Sequence, residues 1–219
     1  GYKLTGLILI GLALTILVWR GKEPFSVTCL DVGQGDGIVL RTPENQCFLI
    51  DGGSSSKTGV GQYQLLPYLK NQGISRVDGI FISHTDLDHI SGIKEILELT
   101  ASGLNSVKIG CLYLPEWKKT PEAWQKLETL AAEAGISVKN LKSGEFLRTG
   151  KLRLKVLAPF EEASGMDVNE EGMVLQAEYE DFRGLFTGDI GEETEKKLLA
   201  RGLLENVDFL KVGHHGSHY

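Results

Sequence analysis

The segment Ser83-His-Thr-Asp-Leu-Asp-His89 places two histidines and two aspartates within six residues, in a chain with five histidines. Imidazole nitrogens and carboxylate oxygens are common ligands of divalent metal ions. Residues two apart in an extended segment point the same way, so we expect His84 and Asp86 to converge on one ion. A turn into a following helix would redirect Asp88 and His89 toward a second ion. The alternative is a polar loop with helix-capping aspartates, which does not explain this density of ligands.

The flanking sequence predicts the elements that position this segment, which we call the metal loop (residues 83–89). The run Val77–Ile82 is short, largely apolar and β-branched, which is typical of a buried strand. Ile90–Leu99 carries apolar residues at helical spacing and predicts a helix. The strand would hold the ligands rigidly, while the loop leaves coordination positions open.

Other residues suited to metal binding also follow predicted strands. Asp51, Asp189, His214 and His215 each lie just past the end of a strand-like run. Strand ends on one side of stacked sheets can gather in a single cleft, so we expect these side chains to meet the metal loop. The hydrophobic patterns predict an α/β domain with about ten strands and four helices.

A second loop, Asp31–Gly37, is rich in glycine. Its exposed backbone N–H groups would suit an anion, although the loop lacks the spacing and the lysine of a P-loop. A hairpin turn is the alternative, because strand-like residues resume at Ile38. Within this loop we take Gln34 as a candidate for substrate contact.

The composition limits the kinds of partner. The chain has 219 residues, a net charge of -6 and a pI of about 5.4, without a basic stripe. A phosphate-rich substrate would therefore be held largely by bound cations or by other parts of a larger protein.

Three cysteines are too few for a disulfide framework. Cys29 and Cys47 fall in neighbouring strand-like runs and can pair, but we favour buried free thiols.

The N-terminal segment predicts a membrane helix. The run Leu4–Trp19 is apolar and uncharged, with tyrosine, lysine, tryptophan and arginine near its ends as interfacial anchors. At about 1.5 Å per residue it spans roughly 24 Å, slightly short of a bilayer core. A signal peptide or a buried helix is the alternative. We expect a transmembrane helix over 1–20, a linker over 21–24 and a domain over 25–219 that is truncated at its C-terminal end, in a chain cut from a longer protein.

The ordered motifs resemble a known superfamily. His84-x-Asp-x-Asp-His89 is similar to the metallo-β-lactamase signature, and Asp51, Asp189 and His214 match its other motifs in order. Together with the glycine-rich loop, they resemble the extracytoplasmic domain of the ComEC family of DNA-internalisation competence proteins. The resembling segments are Leu30–Asp36, Asp51–Gly53, His84–His89, Leu185–Asp189 and His214–Ser217.

The resemblance implies an αββα sandwich, with two sheets face to face, helices outside and two divalent ions at one edge. Asp189 would bridge the ions, and Asp51 would orient the metal loop. Besides the bridge, the first ion would bind His84 and Asp86, and the second Asp88, His89 and His214.

Two positions depart from the superfamily pattern or leave a choice. Asn169 stands where a histidine is usual before the penultimate hairpin, so the first ion would lack a strong ligand there. We choose His214 as the late ligand because it adjoins the strand end, and His215 would then face the substrate. Asp88 would orient or deprotonate water, so Asp88 and His215 are our candidate catalytic residues.

The equal number of imidazole and carboxylate ligands implied by this set favours Mn²⁺ over Zn²⁺, although Zn²⁺ is also possible. The resemblance further implies a nuclease domain that degrades the non-imported DNA strand. It would lie outside the cell membrane, beside a channel portion of the same longer chain, with other competence proteins as further partners. Gln34 and Ser217 would contact the DNA. The alternatives are a metallo-hydrolase of another phosphodiester or ester and a non-catalytic module at a channel mouth.

Overall fold

The computed structural model describes residues 2–18, 23–117, 122–161 and 168–216. Its helices are α1 (Tyr2–Val18), α2 (Leu66–Asn71), α3 (Leu87–Ala101), α4 (Glu122–Glu133) and α5 (Glu192–Ala200). Its strands are β1 (Ser26–Cys29), β2 (Ile38–Arg41), β3 (Cys47–Ile50), β4 (Arg76–Val77), β5 (Gly79–Phe81), β6 (Lys108–Ile109), β7 (Cys111–Pro115), β8 (Ser137–Leu141), β9 (Phe146–Thr149), β10 (Leu152–Ala158), β11 (Val174–Tyr179), β12 (Phe182–Phe186) and β13 (Phe209–Lys211).

The strands form two main sheets and one small one. The first main sheet has the order β1-β2-β3-β5-β7-β8, and the second has the order β13-β12-β11-β10-β9. The short strands β4 and β6 pair separately as a two-stranded sheet. Strands β3, β5, β7 and β8 are parallel to one another, so their C-terminal ends share one edge of the first sheet.

Three apolar layers hold the fold together. The first sheet packs Phe48 and Phe81 against Leu154 and Phe186 of the second sheet, which forms the central layer. The opposite face of the first sheet packs against α2, α3 and α4, and the opposite face of the second sheet packs against α5. Helices therefore cover both outer faces of a two-sheet core, which is the predicted αββα arrangement.

The start of α3 differs from the sequence prediction in a way that matters for the metal loop. The helix begins at Leu87 rather than at Ile90, so Asp88 and His89 lie in its first turn. His89, Ile90 and Ile93 are buried on the side that packs into the domain. The loop proper is therefore only residues 83–86, held between β5 and the first turn of α3.

Helix α1 exposes apolar side chains such as Leu7 and Ile8. The residues that the structure describes include no helix with both the length and the apolar character needed to cross a membrane. Residues 1 and 19–22, which belong to the predicted membrane segment and linker, lie outside the described residues.

The cysteines are free thiols, as expected, but one of them is exposed and not buried. Cys47 is buried, and burial raises the pKa of its thiol to about 12. Cys29 is exposed, so the prediction that it is buried is wrong. Strand β1 lies at the edge of the first sheet, where neighbouring structure does not cover this side chain.

Candidate metal centre

Four side chains from four separate segments converge at one edge of the sandwich. One ligand atom from each of Asp36, His89, Asp189 and His215 lies within 4.8 Å of the other three. Nε2 of His89 is 3.4 Å and Nε2 of His215 is 3.3 Å from Oδ2 of Asp189. We call these four residues the ligand group. Two imidazole nitrogens and two carboxylate oxygens at such distances can surround a divalent ion.

The remaining predicted ligands of the metal loop lie beside this group. Nε2 of His84 is 3.6 Å from Oδ2 of Asp86, and the rings of His84 and His89 are 4.0 Å apart. Oδ2 of Asp88 is 3.6 Å from Nε2 of His215. The structure therefore brings all four predicted ligands of the metal loop to one place, with His84 and Asp86 offering a second pair of ligand atoms.

Sheet register places Asp51 beneath the metal loop. Ile50 of β3 pairs with Phe81 of β5, so Asp51 and Ser83 come side by side just past the two strand ends. Oδ1 of Asp51 accepts the backbone N–H of Ser83 at 2.7 Å, and Oδ2 accepts the Ser83 hydroxyl at 2.7 Å. Oδ2 also lies 2.9 Å from Nδ1 of His89.

These contacts decide which nitrogens can bind a metal. The Asp51 carboxylate accepts from Nδ1–H of His89, which leaves Nε2 of His89 to face the ligand group. Because the Ser83 hydroxyl donates to Asp51, its oxygen, 2.9 Å from Nδ1 of His84, accepts the proton on that nitrogen. One buried carboxylate thus orients both imidazoles, directly for His89 and through Ser83 for His84.

Two of the predicted ligand atoms also fit a metal because they lack hydrogen bonds within the protein. Nε2 of His84 and Nε2 of His89 are buried and make no well-formed hydrogen bond in the described part of the chain, since the neighbouring oxygens of Asp86 and Asp189 lie 3.6 Å and 3.4 Å away. A buried polar atom without a partner is costly, and a bound cation would satisfy both nitrogens. The donor set of imidazoles and carboxylates therefore fits divalent ions.

Asp36 is a member of the ligand group that the sequence did not predict. The glycine-rich loop docks on the first turn of α3, where Asp36 N–H donates to the carbonyl oxygen of Asp88 at 3.0 Å. Gly53 N–H donates to the carbonyl oxygen of Asp36 at 2.9 Å. This backbone pairing turns the Asp36 side chain into the site, so the loop, for which we considered an anion cradle or a hairpin turn, contributes a carboxylate to the ligand group.

A tight turn at the end of β13 gives the two late histidines different positions. His214 and His215 both have left-handed backbone conformations, with φ of 50° and 52°. The turn places His215 in the ligand group, while His214 lines the adjoining cavity. The sequence choice of His214 assumed that the residue nearest the strand end would point inward.

An open cavity of about 400 Å³ lies over the ligand group. Its walls carry polar and acidic side chains, as a solvent-filled substrate cleft would. The lining residues are Gln34, Asp86, Asp88, Asn169, Asp189, His214, His215 and Gly216. Of the two predicted substrate contacts, Gln34 lines this cavity, whereas Ser217 lies outside the described residues.

Comparison with known families is consistent with this geometry. Residues 30–152, more than half of the chain, match the model of the metallo-beta-lactamase superfamily. The chain belongs to the metallo-β-lactamase superfamily.

Curated relatives confirm the resemblance to the ComEC family. The chain is 31% identical over 206 residues to ComE operon protein 3 of Bacillus subtilis, covering 87% of the chain and 25% of that protein. It is 30% identical over 215 residues to Recombination protein 2 of Haemophilus influenzae, covering 97% and 24%. It is 26% identical over 199 residues to Competence protein ComA of Neisseria gonorrhoeae, covering 88% and 24%. The chain spans about a quarter of the length of these relatives.

Solved structures show the same fold. The metallo-beta-lactamase fold protein YhfI of Bacillus subtilis superposes with a TM-score of 0.56 at 16% identity, covering 82% of this chain and 63% of that one. CmlA, a diiron beta-hydroxylase from Streptomyces venezuelae, superposes with a TM-score of 0.52 at 16% identity, covering 86% and 34%. These similarities confirm the α/β metallo-β-lactamase fold predicted from the sequence.

Asn169, which the sequence predicts to stand in place of a superfamily histidine, lies at the wall of the cavity. Its side chain lines the cavity, and its Oδ1 is buried without a hydrogen-bond partner in the described part of the chain. An amide carbonyl is a weaker ligand than an imidazole, but it is an oxygen donor that suits harder ions.

A lysine, which is not a metal ligand, also lies beside the ligand group. Nζ of Lys211, on β13, is 2.6 Å from Oδ2 of Asp36 and 2.9 Å from Oδ1 of Asp189. The same ammonium donates to the carbonyl oxygen of Gly188 at 2.8 Å. The register of β12 and β13, which pairs Phe186 with Lys211, brings this lysine to the edge where Asp189 emerges.

The charges of the group shift its pKa values strongly. Burial alone would lower the pKa of His89, but the carboxylates of Asp51 and Asp189 outweigh it and raise the pKa to about 10. Burial raises the pKa of Asp189, yet His89 and Lys211 bring that pKa well below its usual range. The metal-free site is therefore a network of ionised carboxylates and protonated bases, and a metal ion must displace the proton of His89.

Proposed function

We propose that this domain is a metal-dependent phosphodiesterase that degrades DNA. The observation that carries the proposal is the ligand group itself, which lies at the ends of strands beneath an open polar cavity. Two further ligand atoms from His84 and Asp86 lie beside it, which supports two ions rather than one. Divalent ions at such a site activate water and stabilise negative charge on phosphate oxygens.

The roles of the protein groups follow from their positions. Asp36, His89, Asp189 and His215 would hold one ion, with Asp189 also facing the second. His84 and Asp86 would hold that second ion, and Asn169 would support it with a carbonyl oxygen. In this assignment His215 takes the ligand role that the sequence gave to His214, which then faces the substrate from the cavity wall.

Asp88 is the candidate for handling the proton of the attacking water. Its carboxylate lines the cavity next to His215 and belongs to the first turn of α3, which fixes its direction. A carboxylate there can accept a proton or orient a water molecule toward phosphorus. Gln34 lines the same cavity and can donate hydrogen bonds to a phosphate oxygen.

DNA is favoured as the substrate by the relatives. Two of them are named as a recombination protein and a competence protein, and both match this chain over most of its length. The net charge of -6 leaves phosphate binding largely to the metal ions. We therefore place the domain in a membrane protein of DNA uptake, outside the cell, where it degrades the strand that is not imported.

The membrane and the channel portion of the same longer chain are proposed neighbours of this domain. Helix α1 exposes a run of apolar side chains on the N-terminal side of the domain, which supports contact with a membrane. Other competence proteins are proposed partners by the same reasoning from the relatives.

Purified protein, stripped with a chelator and reloaded with Mn²⁺, tests this function. We expect degradation of linear DNA that needs the metal, with each strand end-labelled to report strand preference. A small aryl phosphodiester and a β-lactam serve as comparison substrates. If the protein binds metal and hydrolyses another ester but leaves DNA intact, the proposed nuclease is a different hydrolase. If the protein binds no metal, the domain is a non-catalytic module.

A further inference from the structure

Lys211 carries a largely buried ammonium whose donors are all in use. Its side chain is 10% exposed, and its Nζ contacts Asp36, Asp189 and the carbonyl oxygen of Gly188. An ammonium has three N–H donors, so three acceptors occupy them all. Lys211 therefore has no donor left for a phosphate oxygen, and contact with substrate does not explain its place in the site.

The two carboxylates that Lys211 contacts belong to the ligand group, and each also lies close to His215. Oδ1 of Asp36 is 3.6 Å from Nδ1 of His215, and Oδ2 of Asp189 is 3.3 Å from Nε2 of His215. The lysine thus takes one oxygen of each carboxylate, and the other oxygen faces His215. These two oxygens lie at different nitrogens of the His215 ring, that of Asp36 at Nδ1 and that of Asp189 at Nε2.

We propose that Lys211 is an internal counter-cation of the metal centre, a positioning residue that stabilises the metal-free site and weakens metal binding. Its charge compensates Asp36 and Asp189 when no ion is present, and it repels an ion that arrives. The inference rests on the proposed metal centre and is independent of whether the substrate is DNA.

The balance of two effects sets the direction of the test. Removing Lys211 frees the carboxylates, and misdirected ligands weaken metal binding by about tenfold to a hundredfold. Removing a unit positive charge a few ångströms from the ion strengthens binding, and at an effective dielectric constant of about 20 this electrostatic effect is the larger. We therefore expect tighter metal binding in a variant that lacks the ammonium.

The experiment compares the wild-type chain with Lys211→Met and measures Mn²⁺ affinity and thermal unfolding after chelator treatment. We expect the dissociation constant for Mn²⁺ to fall by about tenfold or more. We also expect the midpoint of unfolding of the metal-free protein to fall by about 10 °C, because buried Asp189 and largely buried Asp36 lose their partner. A side chain that merely fills space would not tighten metal binding, so unchanged or weaker affinity overturns the proposal.

Lys142→Met is the matched control. Nζ of Lys142 also lies between two carboxylates, 3.8 Å from Glu116 and 3.0 Å from Glu161, but its side chain is 38% exposed and both partners are exposed. We expect the wild-type Mn²⁺ affinity in this variant, since exposed pairs contribute little. An equal gain of affinity in this variant would show that total charge, and not the place of Lys211, is responsible.

A double variant decides the case if Lys211→Met does not fold without metal. Adding Asp36→Asn removes one of the two uncompensated charges, so we expect the metal-free double variant to fold with a midpoint near that of the wild type. A double variant that stays unfolded overturns the proposal. Absence of Mn²⁺ binding in the wild type would remove the metal centre, and this inference with it, whereas loss of DNA degradation alone would not.

Discussion

Oδ2 of Asp51 lies 2.9 Å from Nδ1 of His89, and both side chains are completely enclosed by the domain. The same carboxylate oxygen accepts the hydroxyl of Ser83, whose oxygen lies 2.9 Å from Nδ1 of His84. A single carboxylate at the end of β3 therefore directs two imidazoles on the neighbouring loop and helix. The metal-facing nitrogen of each ring is fixed by a residue that would not touch the metal.

Asp51→Asn tests this relationship. The amide keeps the shape of the side chain but removes the negative charge that makes the imidazole of His89 a better ligand. We expect metal affinity to fall by about 10–100-fold. Calorimetric titration of Mn²⁺ into chelator-stripped protein measures it.

Asp78→Asn is the control for Asp51→Asn. Asp78 also accepts a backbone N–H, from Cys47 at 3.0 Å, but it lies at the other end of β3, where that strand begins. We expect its metal affinity to equal that of the wild type. Equal losses in both variants would indicate general destabilisation of the sheet rather than orientation of His89.

The raised pKa of His89 predicts a pH dependence of metal binding. Its pKa is about 10 in the folded metal-free protein, whereas an unfolded histidine titrates near about 6.5. The proton of His89 thus stabilises the metal-free protein fully below about pH 6.5, and this contribution is lost as the pH rises through about 10. Since a metal ion must displace that proton, apparent affinity should rise up to about tenfold per pH unit in this window. An affinity that stays flat from pH 6.5 to pH 9 would contradict the prediction.

Asp189→Ala tests the carboxylate that both proposed ions share. We expect loss of bound metal and a fall in activity beyond the roughly 100-fold loss typical of a residue that only supports a ligand. The fold should persist, because Lys211 keeps Asp36 and the carbonyl oxygen of Gly188 as acceptors. Asp181→Ala, an exposed aspartate in the β11–β12 turn, is the control. Elemental analysis and a DNA-degradation assay measure both variants, and near-normal activity of Asp189→Ala would refute its role.

Most of the fold is readable from the sequence because each element carries its own pattern. The apolar runs of β3 and β11 and the helical spacing of α3 indicate their type without tertiary information. The run Val77–Ile82 instead forms two strands, since Asp78 leaves the ladder and its side chain accepts the backbone N–H of Cys47. A pairing made by a side chain 31 positions away has no local signal.

The candidate site divides in the same way. The metal loop is dense enough in ligands to be recognised alone, whereas Asp36 joins it only because the glycine-rich loop docks on α3. The choice between His214 and His215 depends on a left-handed turn at two non-glycine residues, which residue preferences disfavour. Lys211 gave no signal, because a lysine is not a metal ligand and its partners are distant in sequence.

The donor set predicts a preference for Mn²⁺ over Zn²⁺ in DNA hydrolysis. Asp36 takes the place of Asp88 in the proposed ligand set, so three carboxylates still match three imidazoles. The resemblance implies that the position of Asp86 can also be a histidine, and oxygen donors favour harder ions. We expect Asp86→His to shift the preference toward Zn²⁺. Thr85→His is the control, because the neighbouring position of an extended segment points the other way. Each metal is titrated into metal-free protein while the loss of DNA is followed. Activity with Zn²⁺ alone would contradict the prediction.

Gly35→Ala tests whether docking of the glycine-rich loop delivers Asp36 to the site. Gly35 has a φ of +148°, and a Cβ there would meet the carbonyl oxygens of Gly53 at 2.4 Å and of Asp88 at 2.5 Å. Both contacts are backbone atoms in the segments that carry Asp51 and the metal loop, so neither can move without moving ligands. We expect the loop to lift from α3 and Asp36 to leave the ligand group, with about tenfold or greater loss of metal affinity.

Gly144→Ala separates this effect from backbone strain, because Gly144 has a φ of +93° with open space where its Cβ would lie. That control should lose about 1 kcal/mol of stability and keep its metal affinity. If Gly35→Ala binds Mn²⁺ as tightly as Gly144→Ala, the docked loop does not supply a ligand.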